Sequence, residues 1–173
     1  LHFFDATGDG YCCSIVSAHC IHGIRYNMDL VSMLFDNGVY GLTKNQTSPT
    51  SPQGMKTNTH PGGAWLPPLN PLSATLGFSN ASFVAQTIDW NPVHLHAVLH
   101  AAYLHKGLAF VRILQRCPTY TTTLFEGLQK DPTRMLLLEH EDSVQCPANV
   151  RRIFPNRFEH VVEKSIEGKN RQG

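Results

Sequence analysis

Residues 30–35 (Leu30-Val31-Ser32-Met33-Leu34-Phe35) and 108–114 (Leu108-Ala109-Phe110-Val111-Arg112-Ile113-Leu114) are apolar at almost every position. A strand with one wet face alternates apolar and polar residues. A short continuous apolar run bounded by turn residues is instead a strand covered on both faces, the usual condition of parallel sheets. Similar runs stand at 1–4 and 82–88, and stretches with helical spacing lie between the runs. One stretch, 14–27, carries Ile15, Val16, Ala18, Ile21 and Ile24; another, 92–105, carries Val93, Leu95, Val98, Leu99, Ala102 and Tyr103, with Pro92 at its first turn. A short helix is expected at 71–77 and one more strand at 135–138. The alternation predicts an α/β fold, a parallel sheet flanked by helices.

Residues 40–71 have no periodicity and hold Pro49, Pro52, Pro61, Pro67, Pro68 and Pro71. A stretch that long without its own elements, set between a strand and a helix, reads as a functional loop. The polar tail from Lys164 is expected to fray. With 14 basic and 13 acidic residues the formal net charge is +1, which excludes a dedicated nucleic-acid binder. No apolar run approaches the roughly 18 residues that cross a bilayer. Charged residues are 16% of the chain against roughly 25% in ordinary domains, so part of the surface is expected to face another subunit. The cysteines, Cys12, Cys13, Cys20, Cys117 and Cys146, are odd in number and contain no CxxC pair, so reduced thiols and a cytoplasmic setting are expected. The opening Leu1-His2-Phe3-Phe4 reads as a buried strand rather than a leader, and the chain is therefore expected to be a fragment.

The chemistry concentrates where two of these strands end. Gly8-Asp9-Gly10 follows the first, and Asn37 follows the second, 28 positions after Asp9. In a parallel sheet both loops emerge at the carboxyl edge, where open α/β sheets bind ligands. A carboxylate and an amide oxygen are hard ligands suited to Mg²⁺, which shares its shell with phosphate oxygens and water. Glycines let backbone approach a diphosphate, and the next helix offers free N–H groups. A calcium loop starting at Asp5 is excluded, because Val16 stands where it needs a bidentate Glu.

Gly8-Asp9-Gly10 with Asp36-Asn37 resembles the diphosphate-binding signature of thiamine-diphosphate enzymes. Phe35-Asp36-Asn37-Gly38-Val39-Tyr40-Gly41-Leu42-Thr43-Lys44, followed by Gln46 and Ser48-Pro49-Thr50-Ser51, is similar to the β subunit of 2-oxoacid:ferredoxin oxidoreductases. His22, Arg25, Asn70-Pro71-Leu72 and Cys117-Pro118 also match that family's pattern. The resemblance runs from about Leu1 to Cys117. It implies a thiamine-diphosphate-binding fold, with residues 1–118 as the cofactor- and Mg²⁺-binding domain and 119–173 as a C-terminal extension of the same subunit.

The resemblance also implies roles. Asp9 and Asn37 would give side-chain oxygens to Mg²⁺ and Val39 its carbonyl. Gly8, Gly10, Tyr11, Gly41 and Leu42 would lie along the diphosphate, and Lys44 near the carboxylate of a 2-oxoacid. Cys117 would be the downstream ligand of a [4Fe–4S] cluster whose other thiolates lie in an N-terminal segment absent here. The implied reaction is oxidative decarboxylation of a 2-oxoacid, of the 2-oxoglutarate or pyruvate type, to an acyl-CoA, with electrons passed to ferredoxin. An α subunit, ferredoxin and coenzyme A are the implied partners; no residue is assigned a catalytic role.

The sequence departs from the family's pattern at Tyr11, where an Asp is usual, at Ile15-Val16-Ser17-Ala18-His19, where the pattern reads IGGNH, and at Asn45, which replaces a loop glycine but tolerates a left-handed backbone. These departures support a second reading, a non-catalytic or truncated homologue that keeps the fold and subunit interface. A different thiamine-diphosphate enzyme, such as a carboligase, is a third. His94, His96, His100 and His105 lie on one predicted helix without the carboxylate of a HExxH zinc motif, so packing or solvation is expected of them.

Overall fold

A computed structural model describes residues 3–135. The expectations for Leu1, His2, 136–138, Cys146 and the tail from Lys164 lie outside the described residues. Four strands, β1 (Phe3–Gly8), β2 (Leu30–Asp36), β3 (Phe83–Ile88) and β4 (Leu108–Leu114), form one sheet in the order β1-β2-β4-β3. Every pairing is parallel, as the unbroken apolar runs require. The helices are α1 (Ser17–Tyr26), α2 (Pro71–Leu76), α3 (Pro92–Leu104) and a short α4 (Glu126–Lys130).

The period of two along each strand sorts the core into two layers. Leu34 and Phe110 face Cys12, Ile24, Val84 and Leu108 on one side of the sheet. Val31, Ala109, Val111 and Ile113 face Val98 and Ala102 of α3 on the other. Phe110 is 1% exposed, and burying a side chain of that size contributes about 2–3 kcal/mol. Asn70 caps α2, its Oδ1 accepting from Leu72 N at 3.0 Å, and Asn91 caps α3, accepting from His94 N at 3.2 Å. Both caps precede a proline that starts the helix without a wasted donor.

Two expectations need correction. Among the described residues the first strand is an edge strand that runs four residues past position 4, to Gly8, and its Phe3 and Phe4 are 58% and 54% exposed rather than buried. Among the described residues only β2 pairs with it. The expected helix at 14–27 is two pieces. A π-helical turn, Tyr11–Ile15, comes first, and Val16 at φ −113° breaks it from α1. Apolar spacing is the same in both pieces, so periodicity alone cannot see the break. Residues 40–70 hold no helix or strand beyond a single bridge between Tyr40 and Gln46. His94 Nδ1 lies 2.8 Å from Thr87 Oγ1 and His105 Nε2 lies 2.8 Å from Ser82 Oγ, the packing roles expected of them.

Candidate functional site

The register places the site. Gly8 pairs with Phe35 across β1 and β2, so the next residues on each strand, Asp9 and Asp36, leave the carboxyl edge side by side. Both are 1% exposed. Two carboxylates buried together need positive charge or protons between them. Asp36 has a cation: Arg112, from β4, donates to its Oδ2 through Nε at 2.7 Å and also through Nη2, while its Nη1 reaches Gln86. Asp9 has no cation partner among the described residues. Its Oδ1 accepts from the Asn37 N–H at 3.4 Å, and its Oδ2 lies 2.7 Å from Thr50 Oγ1.

Thr50 is the hinge of this arrangement. Its hydroxyl also lies 2.8 Å from Asp36 Oδ1, so one proton serves two carboxylates. Burial pushes the Asp9 carboxyl above its ordinary value and the charge of Asp36 adds to that, against the hydroxyls of Ser48 and Thr50 and the Asn37 amide. A buried carboxylate without a cation partner, set among oxygen donors, could hold a hard ion such as Mg²⁺.

The loop that delivers Thr50 is held by hydroxyls. Ser48 N donates to Ser51 Oγ at 2.9 Å, closing the Ser48-Pro49-Thr50-Ser51 turn, and Ser51 Oγ donates to the Gly38 carbonyl at 2.7 Å. The turn is thereby docked onto the one that follows β2. There Gly38 has φ +67°, a conformation open to glycine at little cost, and Val39 N donates to Asn37 Oδ1 at 3.1 Å.

The expected site residues divide into two groups. Asp9, Gly10, Asn37 and Val39 converge at the edge, with Gly8 ending β1 beside them. Tyr40 lies across Gly10, its hydroxyl donating to the Gly10 carbonyl at 2.9 Å, and a Cβ on Gly10 would stand 2.2 Å from the Tyr40 ring. Gly10 is therefore obligatory. Gly41 and Cys117 are neighbours, with Cys117 Sγ 3.5 Å from where a Gly41 Cβ would be. Thr121 ties them to the Asn37 turn: it accepts from Cys117 N at 2.8 Å and donates to the Asn37 carbonyl at 2.9 Å. Tyr11, Leu42 and Lys44 point outward instead, Tyr11 52% and Leu42 98% exposed. Lys44 and Asn45 both take left-handed backbone, φ 67° and 60°, which bears out the tolerance expected of Asn45.

Sequence reasoning missed Thr50 as the link between carboxylates, Tyr40 as the cover on Gly10, and the Asp36–Arg112 pair. Only the last had a visible signal, a single Arg inside an otherwise apolar strand. Among the described residues no group of three or more His, Cys, Asp or Glu could hold a metal ion, so Cys117 finds no companion ligands there. Among them, too, no helix is long and apolar enough to cross a membrane.

Comparisons with known proteins identify the family. The family model for the thiamine pyrophosphate enzyme C-terminal TPP-binding domain matches residues 2–113. The chain is 41% identical over 145 residues to the 2-oxoglutarate oxidoreductase subunit KorB of Mycobacterium tuberculosis, covering 83% of this chain and 39% of that protein. It is 33% identical over 162 residues to the 2-oxoglutarate synthase subunit KorB of Methanothermobacter marburgensis, covering 94% of this chain and 54% of the relative. A solved structure of 2-oxoglutarate:ferredoxin oxidoreductase from Magnetococcus marinus, with 2-oxoglutarate, coenzyme A and succinyl-CoA bound, superposes with a TM-score of 0.63 at 33% identity, over 84% of this chain and 42% of that one. The chain thus spans about two fifths to one half of the proteins it matches. The resemblance carried by the motifs is borne out.

Proposed function

This chain belongs to the thiamine pyrophosphate enzymes, by their C-terminal TPP-binding domain, and we propose that it works as the β subunit of a 2-oxoacid:ferredoxin oxidoreductase. The observation that carries the reading is the Asp9–Thr50–Asp36 arrangement at the carboxyl edge, a buried carboxylate pair with one cation too few. Mg²⁺ would supply it, held by Asp9, Asn37 and the Val39 carbonyl. Gly8, Gly10 and Tyr11 on one loop, with Gly41 and Leu42 on the other, would flank the diphosphate, and Tyr40 keeps the Gly10 backbone in place for it. Lys44, exposed on the rim, would meet the carboxylate of the 2-oxoacid.

When bound, thiamine diphosphate supplies the electron sink that decarboxylation of a 2-oxoacid requires. The chain's own part is to anchor the diphosphate through metal and backbone and to fix the geometry of the edge. The names of the relatives favour 2-oxoglutarate as the substrate, coenzyme A as acyl acceptor and ferredoxin as electron acceptor. An α subunit would complete the site, residues 1–118 being the cofactor domain and 119–173 an extension of the same subunit, in the cytoplasm. Clusters are held by Cys thiolates, usually four; Cys117 would give one and the other ligands would come from outside the described residues.

Calorimetric titration of thiamine diphosphate into the chain, with and without Mg²⁺, tests the cofactor site. Metal-dependent binding is expected, and Asp9→Ala should abolish it while the variant stays folded. Binding that ignores both the metal and the substitution would overturn the reading.

A further inference from the structure

Cys12, in the π-helical turn, and Cys20, on the first half of α1, are eight residues apart, yet the break at Val16 folds them together. Cys12 donates its S–H to Cys20 Sγ with the sulfurs 3.4 Å apart. Both are free thiols; Cys12 is buried at 4% exposure, whereas Cys20 and Cys13 are half-buried. Continuous α-helix would spread positions 12 and 20 along more than two turns, about 12 Å of rise. The juxtaposition is thus a product of the break, and neither sulfur takes part in the metal end of the sheet.

We propose that Cys12 and Cys20 are a redox-modification site, closing to a reversible disulfide when the protein meets a hydroperoxide. A disulfide needs its sulfurs about 2.05 Å apart, so the pair has to close by a little over 1 Å. Cys20 is the attacking sulfur: it is the more accessible of the two, and the thiol hydrogen bond from Cys12 holds its pKa below the ordinary value, while the thiols of Cys13 and Cys20 together with burial hold Cys12 above. The Cys20 thiolate attacks the peroxide O–O bond, which breaks to give Cys20 sulfenic acid and an alkoxide or hydroxide that takes up a proton. The Cys12 sulfur then attacks the sulfenic sulfur, forming the S–S bond and releasing water. Two thiols lose two electrons and two protons, and the hydroperoxide is reduced to an alcohol and water. The product ties the turn after Gly10 to α1.

The first 25 residues contain no internal Lys or Arg, so trypsin releases Cys12, Cys13 and Cys20 in a single peptide ending at Arg25. The full chain, reduced, exposed to hydrogen peroxide and then alkylated, is expected to yield this peptide lighter by two hydrogens, with one thiol alkylated and no fragment ions from within residues 12–20. Dithiothreitol should restore three alkylated thiols. Cys20→Ser should keep the peptide from losing the two hydrogens, and Cys13→Ser should leave the loss intact. A peptide that stays fully alkylated, fragment ions that place the bond at Cys13, or persistence of the loss in Cys20→Ser would each overturn the proposal. The first two readings use the unaltered protein and do not depend on any variant folding.

Discussion

The sheet and the loop between β2 and α2 are built on opposite terms. In β2 and β4 the chain is held by burial: Leu34, Ala109, Val111 and Ile113 are at most 1% exposed, in contact with apolar neighbours on both faces. In residues 40–70 the buried side chains are Ser48, Thr50, Ser51 and Thr57, with Ala64 as the one apolar exception, and the contacts that fix the four polar ones are hydroxyl hydrogen bonds. Burial is non-directional and tolerates small errors; a hydroxyl network places an atom to a few tenths of an ångström but loses its effect when one partner goes. The sheet therefore supplies stability and the loop supplies position. The two meet at Asp36, which ends an apolar strand and accepts from Thr50 of the loop.

The comparison is sharpest if the sheet is damaged first. Phe110→Ala removes a ring from the closed layer under α1 and should cost about 4 kcal/mol of folding stability, read as a fall in the denaturation midpoint. The fraction that stays folded should bind thiamine diphosphate and Mg²⁺ with nearly unchanged affinity. A large loss of affinity at equal folded fraction would show that the core positions the site directly.

Next in size is Arg112→Met, which keeps the length of the side chain and removes its charge. Asp36, with its side chain 2% exposed, would be left as a buried carboxylate without its cation. A cost of roughly 3 kcal/mol is expected. This variant sits on the seam between the two regions, so both stability and metal-dependent binding should fall. Stability falling alone would assign Arg112 to the sheet only.

How much was legible in the sequence follows the same division. The 108–114 run is β4 to the residue, and 30–35 and 82–88 are β2 and β3 to within one, because burial on both faces writes itself as an unbroken apolar string. The spacing of Asp9 and Asn37 likewise pointed to the carboxyl edge, where the two residues do come together. What escaped was whatever depends on a hydrogen bond between distant positions. Thr50 and Asp36 are 14 residues apart and Thr50 and Asp9 are 41, and nothing local distinguishes Thr50 from its neighbours Thr47 and Ser51. Phe3 and Phe4 misled for the converse reason: apolar composition predicts burial, but among the described residues β1 lies at the sheet's edge, and its position in the sheet order is not a local property.

Thr50→Val isolates the loop's contribution with almost no change in shape. It removes the proton shared by Asp9 and Asp36 and should cost about 2 kcal/mol, the penalty of leaving buried acceptors unmet. Cofactor affinity in the presence of Mg²⁺ should weaken about tenfold, equivalent to about 1.4 kcal/mol. Ser51→Ala, which opens the Ser48–Ser51 turn and releases it from Gly38 but leaves the Thr50 hydroxyl in place, should do less of both. If Thr50→Val left the metal dependence untouched, the hydroxyl would be a packing contact and the comparison would lose its functional half.

The smallest effect has the opposite sign. Asp9 is an acid whose burial raises its pKa above the 3.8 of the unfolded chain. Below 3.8 the carboxyl is protonated in both states and burial costs nothing. As pH rises, the unfolded chain ionises first, and the folded one must either keep its proton or hold a buried charge, so stability falls until the raised folded value is passed. Above that raised value the metal-free protein carries the whole deficit. Asp9→Asn removes it: the variant should melt slightly higher than the parent without metal, and the part of the acid-side decline due to Asp9 should flatten. Adding Mg²⁺ and thiamine diphosphate should reverse the ranking, since a ligand at 100 times its Kd stabilises the parent by about 2.7 kcal/mol and leaves a non-binding variant unmoved. Melting curves of the two proteins at several pH values, with and without metal and cofactor, carry the test. An Asp9→Asn protein that melts lower than the parent under metal-free conditions would mean that Asp9 is satisfied by the fold alone, and that the loop was built to stabilise rather than to wait for a cation.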